Sequence, residues 1–553
     1  MRANAVLLSV VCILLAASTY AHAQGASASD IDRLKTQVEK QQARIEALES
    51  ALAAQQQMLI RIASANPDKS IPVTTVESAT ANLKTVAYDV ETVENSSQQQ
   101  EQQPLSPKAQ KAEDELQRGP EIADVTPTTP ALNLGPAKIR LIGYAALSNI
   151  YRSTNSGGNV ATSFGSLPFD NTVAGNTSEF RLSAQNTRLA MRADADLKSS
   201  KVAGYFEIDF LGQVPGNVAA ASPSNYGLRM RHAWFDFQKG KWEITGGQLF
   251  SLITPLKNTI SPWPGDVSLT QVVDQNFVAG LVWGRSPQVR VVYHYSDAVS
   301  FGFSAENPEQ QVGGTVVFPS MLAPTLGTQY NTGSQGLAVP NAIPDFLIKA
   351  SFDGKLGRHA AHLDLGGVMR EFRNYAPFEG NGVSGHNHAF GGGGSLNATF
   401  DVATGYRFVV NAFAGSGAGR YIGGLIPDVI VRANGDISPI KAYSWVSGLE
   451  IAPSTRTGLY VYYSGVYGQK NVAVDTDGSF IGWGYPGASN AAERTIQEIT
   501  PGFSHTFWKQ ENLGSVQLGI QYAYVVLHPW VAGTGPSAAH TQMVLGQIRY
   551  NLP

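Results

Sequence analysis

The sequence predicts an all-β transmembrane barrel of about 16 antiparallel strands, and three observations predict it. From Lys138 to Tyr550, segments of roughly ten alternating residues are joined by connections that switch between short and long. The short ones include Lys198-Ser199-Ser200, Lys239-Gly240, Ser454-Thr455-Arg456 and Lys509-Gln510-Glu511-Asn512; the long ones include Tyr151–Thr177, Phe250–Ser286, Asn307–Ile343 and Lys470–Asn490. A barrel in a bilayer needs tight turns on one side and tolerates long loops on the other. Composition agrees, with 56 Gly and 21 Tyr but only 15% charged residues. Mean hydropathy is −0.11, and beyond the N-terminus no run of about 18 apolar residues exists to make a membrane helix. A barrel stays near neutral because alternate residues alone meet lipid.

The chain divides into four parts. Residues 1–23 read as a signal peptide, with Arg2 in a basic n-region, a mostly apolar run Ala5–Ala17 and an Ala21-His22-Ala23 cleavage site. The run is too short to span a bilayer, which needs about 20 residues. Cys12, the single cysteine, lies in that run, so the mature chain has no disulfide and no thiolate chemistry. Residues 24–63 read as a periplasmic coiled-coil helix. Ile31, Val38, Ile45, Leu52 and Leu59 recur every seven residues, and Leu34, Gln41, Leu48, Gln55 and Ile62 follow three later. Strict a/d spacing is narrower than the face of a helix docked on a globular domain, so the seam predicts self-association through Ile31, Leu34, Val38, Ile45, Leu48, Leu52, Leu59 and Ile62. Residues 64–136 are rich in Pro, Gln and Ser, which predicts a low-complexity linker. This N-terminal region is a candidate contact for peptidoglycan. Residues 137–553 form the barrel.

Sixteen strands are expected to begin near Lys138, Glu179, Lys201, Gly227, Lys241, Gln288, Ser300, Asp345, His359, Asn387, Tyr406, Tyr443, Gly458, Arg494, Ser515 and His540. An even number places both ends of the barrel on the short-turn side. Alternation then sorts the side chains. In the second strand, Leu189, Met191, Ala193 and Ala195 oppose Arg188, Arg192, Asp194 and Asp196. In the third, Phe206, Ile208 and Phe210 oppose Tyr205, Glu207 and Asp209. A charge facing lipid costs about 2–4 kcal/mol at the midplane, so the apolar set faces out and the charged set faces in. The fourth strand changes hands near His232, as a β-bulge would make it do.

A pore's chemistry lies in the residues of its lumen. Arg188, Arg192, Arg229, Arg231, Arg290, Lys349 and Arg370 form a basic inward set, and Glu207, Asp209, Asp364, Asp194 and Glu243 an acidic one. Guanidinium ladders attract anions by field and by forked hydrogen bonds; cross-strand ion pairs that only brace the wall are the alternative. The third long connection, with Lys257, Asp266 and Asp274, is the candidate constriction loop. His232, His294, His362, His386 and His388 lack the companion nucleophile and acid that would make a hydrolase. His386-Asn387-His388 reads as a solvated Gly-rich turn rather than a metal site. The net charge of −3 gives no basic footprint for nucleic acid, and nothing calls for a cofactor.

The order of parts resembles the DcaP-like trimeric outer-membrane porins. So do Ala184-Gln185-Asn186-Thr187-Arg188-Leu189, Phe206-Glu207-Ile208-Asp209-Phe210 with Leu211-Gly212, Leu228-Arg229-Met230-Arg231-His232-Ala233 and Gly246-Gly247-Gln248-Leu249-Phe250-Ser251. The resemblance implies a homotrimer in the outer membrane of a Gram-negative-type bacterium. It implies passive diffusion of small hydrophilic solutes, a leaning toward small anionic organic acids, and no enzymatic activity. By analogy with sixteen-strand porins, the third external loop folds into the lumen. The other reading is a structural or adhesive barrel tied to the cell wall by its coiled coil. One departure stands out: Asn551-Leu552-Pro553 follow the last aromatic, Tyr550, where such barrels end on the aromatic itself.

Overall fold

The computed structural model describes residues 130–553, apart from 157–159, 213–225, 333–339, 377–384, 489–491 and 533–534. The signal peptide, the coiled-coil seam and nearly all of the linker lie outside the described residues. The wall strands are β1 (Ala137–Arg152), β2 (Glu179–Ser183 continued by Arg188–Leu197), β3 (Ser200–Gly212), β4 (Gly227–Lys239), β5 (Trp242–Phe250), β6 (Arg285–Ser296), β7 (Val299–Glu306) and β8 (Asp345–Leu356). They continue as β9 (His359–Ala376), β10 (Gly385–Ala403), β11 (Tyr406–Ser416), β12 (Lys441–Ser454), β13 (Thr457–Gly468), β14 (Glu493–Gln510), β15 (Gly514–Pro529) and β16 (Ala539–Asn551). Each pairs antiparallel with the next, and β16 pairs with β1 from Tyr144↔Asn551 to Arg152↔Met543. The barrel of sixteen strands is closed, which leaves no strand edge unpaired in lipid.

Every wall strand begins within three residues of the position expected from the sequence. Two details were not expected. Leu132–Leu134, assigned to the linker, forms a short strand against Ala137–Ile139. At the C-terminus, the Leu552 N–H donates to the Gly143 carbonyl at 2.9 Å, so the chain keeps bonding to the wall beyond Tyr550.

The tight turns use residues that accept positive φ: Lys198 at 52°, Gly240 at 59°, Gly357 at 65° and Asn512 at 65°. Outward aromatics form two belts. Trp242, Tyr295, Tyr406 and Trp508 sit near the short turns, and Tyr151, Phe180, Phe390 and Tyr443 nearer the long loops. Such girdles mark the two interfaces of an apolar band.

The alternation holds through the wall. Leu189, Met191, Phe206 and Ile520 are 40% exposed or more, whereas Glu207, Asp209 and Gln521 are buried inside. The bulge in β4 is present. Glu207 pairs with His232 and Ile208 with Met230, leaving Arg231 unopposed, and Arg231 and His232 both turn inward. The β1 side of β2 is interrupted at 184–187, where Asn186 Nδ2 donates to Ser148 Oγ at 2.7 Å.

The outward assignment of Ile520 has a measurable consequence. Ile520→Lys should lower the free energy of folding into bilayers by about 2–4 kcal/mol in a urea titration. An unchanged midpoint would place that face away from lipid.

Candidate functional site: a lumen crossed by its third loop

The connection from Phe250 to Arg285, here L3, lies inside the barrel. Its backbone bonds to strands on the opposite wall, which it reaches only by crossing the lumen. The Thr254 carbonyl accepts Lys349 Nζ of β8 at 2.7 Å and the Leu256 carbonyl accepts Asn397 Nδ2 of β10 at 2.9 Å. The Thr259 N–H donates to Asp353 at 3.0 Å, Val273 N–H to Gln521 Oε1 of β15 at 2.8 Å, and Ala279 N–H to Glu498 Oε2 of β14 at 2.7 Å. The entry of the loop is fixed by Glu306 of β7, which accepts from Ser251 Oγ at 3.0 Å and Leu252 N–H at 2.9 Å.

This pattern follows from the loop's irregular backbone. Buried amides and carbonyls need partners, and L3 satisfies some of its own through a short hairpin, with Lys257 N–H on the Asp266 carbonyl at 2.8 Å and Leu256 bridged to Val267, and through isolated turns such as Val272 N–H on the Leu269 carbonyl at 3.1 Å. The wall supplies others: carboxylates and Gln521 for N–H groups, Lys349, Arg290 and Asn397 for carbonyls. Apolar contacts complete the seat. Leu252, Ile253, Ile260 and Leu281 are at most 2% exposed. A Cβ at inward Gly302 would lie 3.0 Å from Leu252 and 3.1 Å from Ile260, so the glycine makes the room they fill.

These bonds change the reading of several residues. Arg290, Lys349 and Arg370, expected in the open lumen, are buried at 2%, 3% and 1%. Arg290 donates to the Phe250 carbonyl at 2.6 Å, and Lys349 is held by the Thr254 carbonyl and, at 3.2 Å, by Asp364. Asp364 also accepts Asn397 at 3.1 Å and faces His362 at 3.2 Å, so it serves the same anchor. Arg370 joins Asp345 at 2.9 Å to Asp428 at 2.9 Å, tying external loops to the wall. Asp274 is 3% exposed; its carboxylate accepts the Thr162 N–H at 3.2 Å, the Thr162 hydroxyl and the Asn276 N–H at 2.9 Å, linking L3 to the first external loop. Asp266 accepts the Ser261 hydroxyl within the hairpin. Arg290, Lys349, Arg370, Asp364 and Asp274 are covered because L3 or another loop packs against them, whereas Asp266 stays part-exposed.

The expected turn around His386-Asn387-His388 is instead the start of β10. His388 Nδ1 lies 2.9 Å from Glu371 and His386 stacks on Tyr375 at 5.1 Å. Among the described residues, no group of three or more His, Cys, Asp or Glu is arranged to hold a metal ion.

What stays accessible is a chamber between L3 and the wall of β1–β4 and β16. Its lining includes Tyr144, Arg188, Arg192, Tyr205, Glu207, Arg231, Trp263, Gln275 and Arg549. Arg188 Nε lies 3.5 Å from Glu207, Arg231 reaches both Glu207 and, at 2.8 Å, Asp209, and Arg229 forks onto Asp209 at 2.7 and 3.0 Å. Tyr205 donates to Glu207 at 2.6 Å. Arg192 and Arg140 share Asp194, each at 2.9 Å, and the Arg192 guanidinium lies 3.7 Å from the Trp263 ring centre. A second chamber, at the long-loop end, is lined by Trp283, Arg285, Gly313, Arg420 and Trp483. Sequence reasoning missed Arg549, Tyr144 and Arg285. Parity with Gln547 would have placed Arg549 inside, whereas Arg285 fell in the loop because β6 was expected to start at Gln288.

Among solved structures, the crystal structure of the outer membrane channel DcaP of Acinetobacter baumannii matches with a TM-score of 0.52 at 17% identity, over 76% of this chain and 99% of that one. The barrel has that channel's fold. The likeness read from the sequence therefore holds for the barrel. An anion-selective porin from Comamonas acidovorans aligns at 13% identity over 75% of this chain and 100% of that one, TM-score 0.42. Pseudomonas putida OprB aligns at 10% over 74% and 94%, TM-score 0.41. No family model and no curated protein matches the sequence.

The seat of L3 can be tested at Gly280, where φ is +93° and an added Cβ would lie 2.2 Å from the Gly465 carbonyl oxygen. Gly280→Val should overpack this contact by about 1–3 kcal/mol and raise protease cleavage within L3 while the barrel stays intact. Cleavage equal to wild type would contradict the docking.

Proposed function

We propose that the chain is an outer-membrane porin through which small hydrophilic solutes diffuse passively, with a preference for small anionic organic acids. The observation that carries the reading is the charge imbalance around the path left open by L3. Arg140, Arg188, Arg192, Arg229, Arg231, Arg285, Arg420 and Arg549 stand against Asp194, Glu207, Asp209, Asp274, Glu309 and Glu493, so the arginines outnumber the carboxylates. Fixed cations in a narrow, low-dielectric passage raise the local concentration of anions and repel cations. The function needs no catalytic group. L3 narrows the lumen, the guanidiniums supply the field, and water fills the remainder.

The surroundings fit this reading. Described strand ends at Leu132 and Asn551 lie at the short-turn side, which suits a periplasmic N-terminal region and C-terminus. The heptad seam at 24–63 would then hold three copies together beneath the membrane, with peptidoglycan as a further contact.

The test is reconstitution into planar bilayers, with reversal potential measured across a potassium chloride gradient. The expected result is an open channel of anionic preference, with three coupled conductance steps per insertion. Cation preference would overturn the anionic reading and leave the porin. A barrel that inserts without conducting would favour the structural or adhesive role.

A further inference from the structure

The arginines of the lumen are not equivalent, and their partners separate them into two groups. Arg229 and Arg231 are bonded to Asp209 and Glu207, and Arg188 also faces Glu207. In these groups each carboxylate lies within 3.5 Å of two guanidiniums, so much of the positive field is cancelled where it arises. They read as a zipper across β2, β3 and β4. Glu207 is held further by the Tyr205 hydroxyl at 2.6 Å, which fixes the whole set upright against the wall.

Arg549 and Arg285 have no such direct carboxylate partner, and Glu309 and Glu493 line the outer chamber with Arg285 without pairing to it. Arg549 Nε donates to the neutral Gln517 Oε1 at 2.7 Å, and its guanidinium lies 5.1 Å from the Tyr144 ring centre, with Arg188 5.4 Å from the same ring. Arg285 lies between Phe250 and Trp283, at 5.9 and 5.8 Å from their ring centres, and its Nη1 is a buried nitrogen with no hydrogen-bond partner. Among the described residues neither forms an ion pair. The barrel segments outside the description contain one acidic residue, Glu379. The two sit in successive parts of the passage: Arg285 in the chamber at the long-loop end, Arg549 in the chamber between L3 and the wall.

We propose that Arg285 and Arg549 are the specificity-determining residues for anion passage, an outer and an inner step, and that Glu207 and Asp209 are positioning residues that restrain the remaining arginines. An incoming carboxylate or phosphate can take hydrogen bonds from a guanidinium only where no protein carboxylate already occupies the fork. Each free guanidinium then acts as a weak, exchangeable site, as conduction requires. The inference rests on the anionic reading above, and its test separates the two.

The test compares chloride-to-potassium permeability ratios, from reversal potentials, in wild type, Arg285→Gln, Arg549→Gln, the double variant, Arg549→Lys, Arg229→Gln and Asp209→Asn. Each free-arginine variant should lower the ratio roughly threefold, and the double variant more. Arg549→Lys should restore most of it, and Asp209→Asn should raise it by releasing its fork. Resistance of the folded band to unfolding in detergent at room temperature confirms that each barrel has formed. A double variant with the wild-type ratio, alongside loss of preference in Arg229→Gln, would overturn the inference while leaving the anionic porin standing. A wild type without anion preference would overturn both.

Discussion

The structure depends on the hydrogen bonds by which wall side chains satisfy the backbone of L3. A loop of irregular structure inside a barrel carries amides and carbonyls that water reaches poorly, and an orphaned buried polar group costs about 1–3 kcal/mol. Glu306, Glu498, Gln521 and Asp353 meet the N–H groups; Arg290, Lys349 and Asn397 meet the carbonyls. This explains why Arg290, Lys349 and Asp364 crowd the wall beneath L3, buried by the loop they hold. The chamber left beside L3 lies against β1–β4 and β16, where L3 touches the wall through the Trp263 ring rather than through a row of backbone hydrogen bonds.

Closure of the sheet supplies the other half of the account. In lipid the strands have no alternative partners for their backbone groups, so the ladder from β16 back to β1 is obligatory. With the outer face given over to apolar side chains, every charge is driven inward. Arginines on β2 and β4 then flank carboxylates on β3, and the bulge at Arg231 lets Arg229 and Arg231 point inward on the same strand as His232, Trp234 and Asp236. Arg549 on the closing strand adds a further guanidinium to the chamber between L3 and the wall.

The sequence made the barrel legible because its signal, period-two alternation, repeats in every strand. Leu189 against Arg188, and Phe206 against Glu207, each settle a face. The bulge at His232 was visible for the same reason, as a break in that rhythm. The site was less legible. Alternation says that Arg290, Lys349 and Arg370 point inward; it cannot say that a loop lies on them. Covering is a long-range fact, fixed by partners such as Thr254, Phe250 and Asp428 that are far away in sequence. Trp263, whose ring stacks on Arg192, sits in a Pro-rich stretch with no periodicity to read. Arg285 was obscured by a boundary error of three residues at the start of β6.

In the proposed porin a passage remains beside L3 and its field favours anions. Swelling of liposomes containing the purified protein, in isosmotic solutions of a small carboxylate, a neutral polyol and an alkylammonium salt of similar size, tests both parts together. Swelling is expected in all three, fastest with the carboxylate and slowest with the alkylammonium salt. Liposomes that swell in none of them, with the barrel folded and inserted, would contradict it.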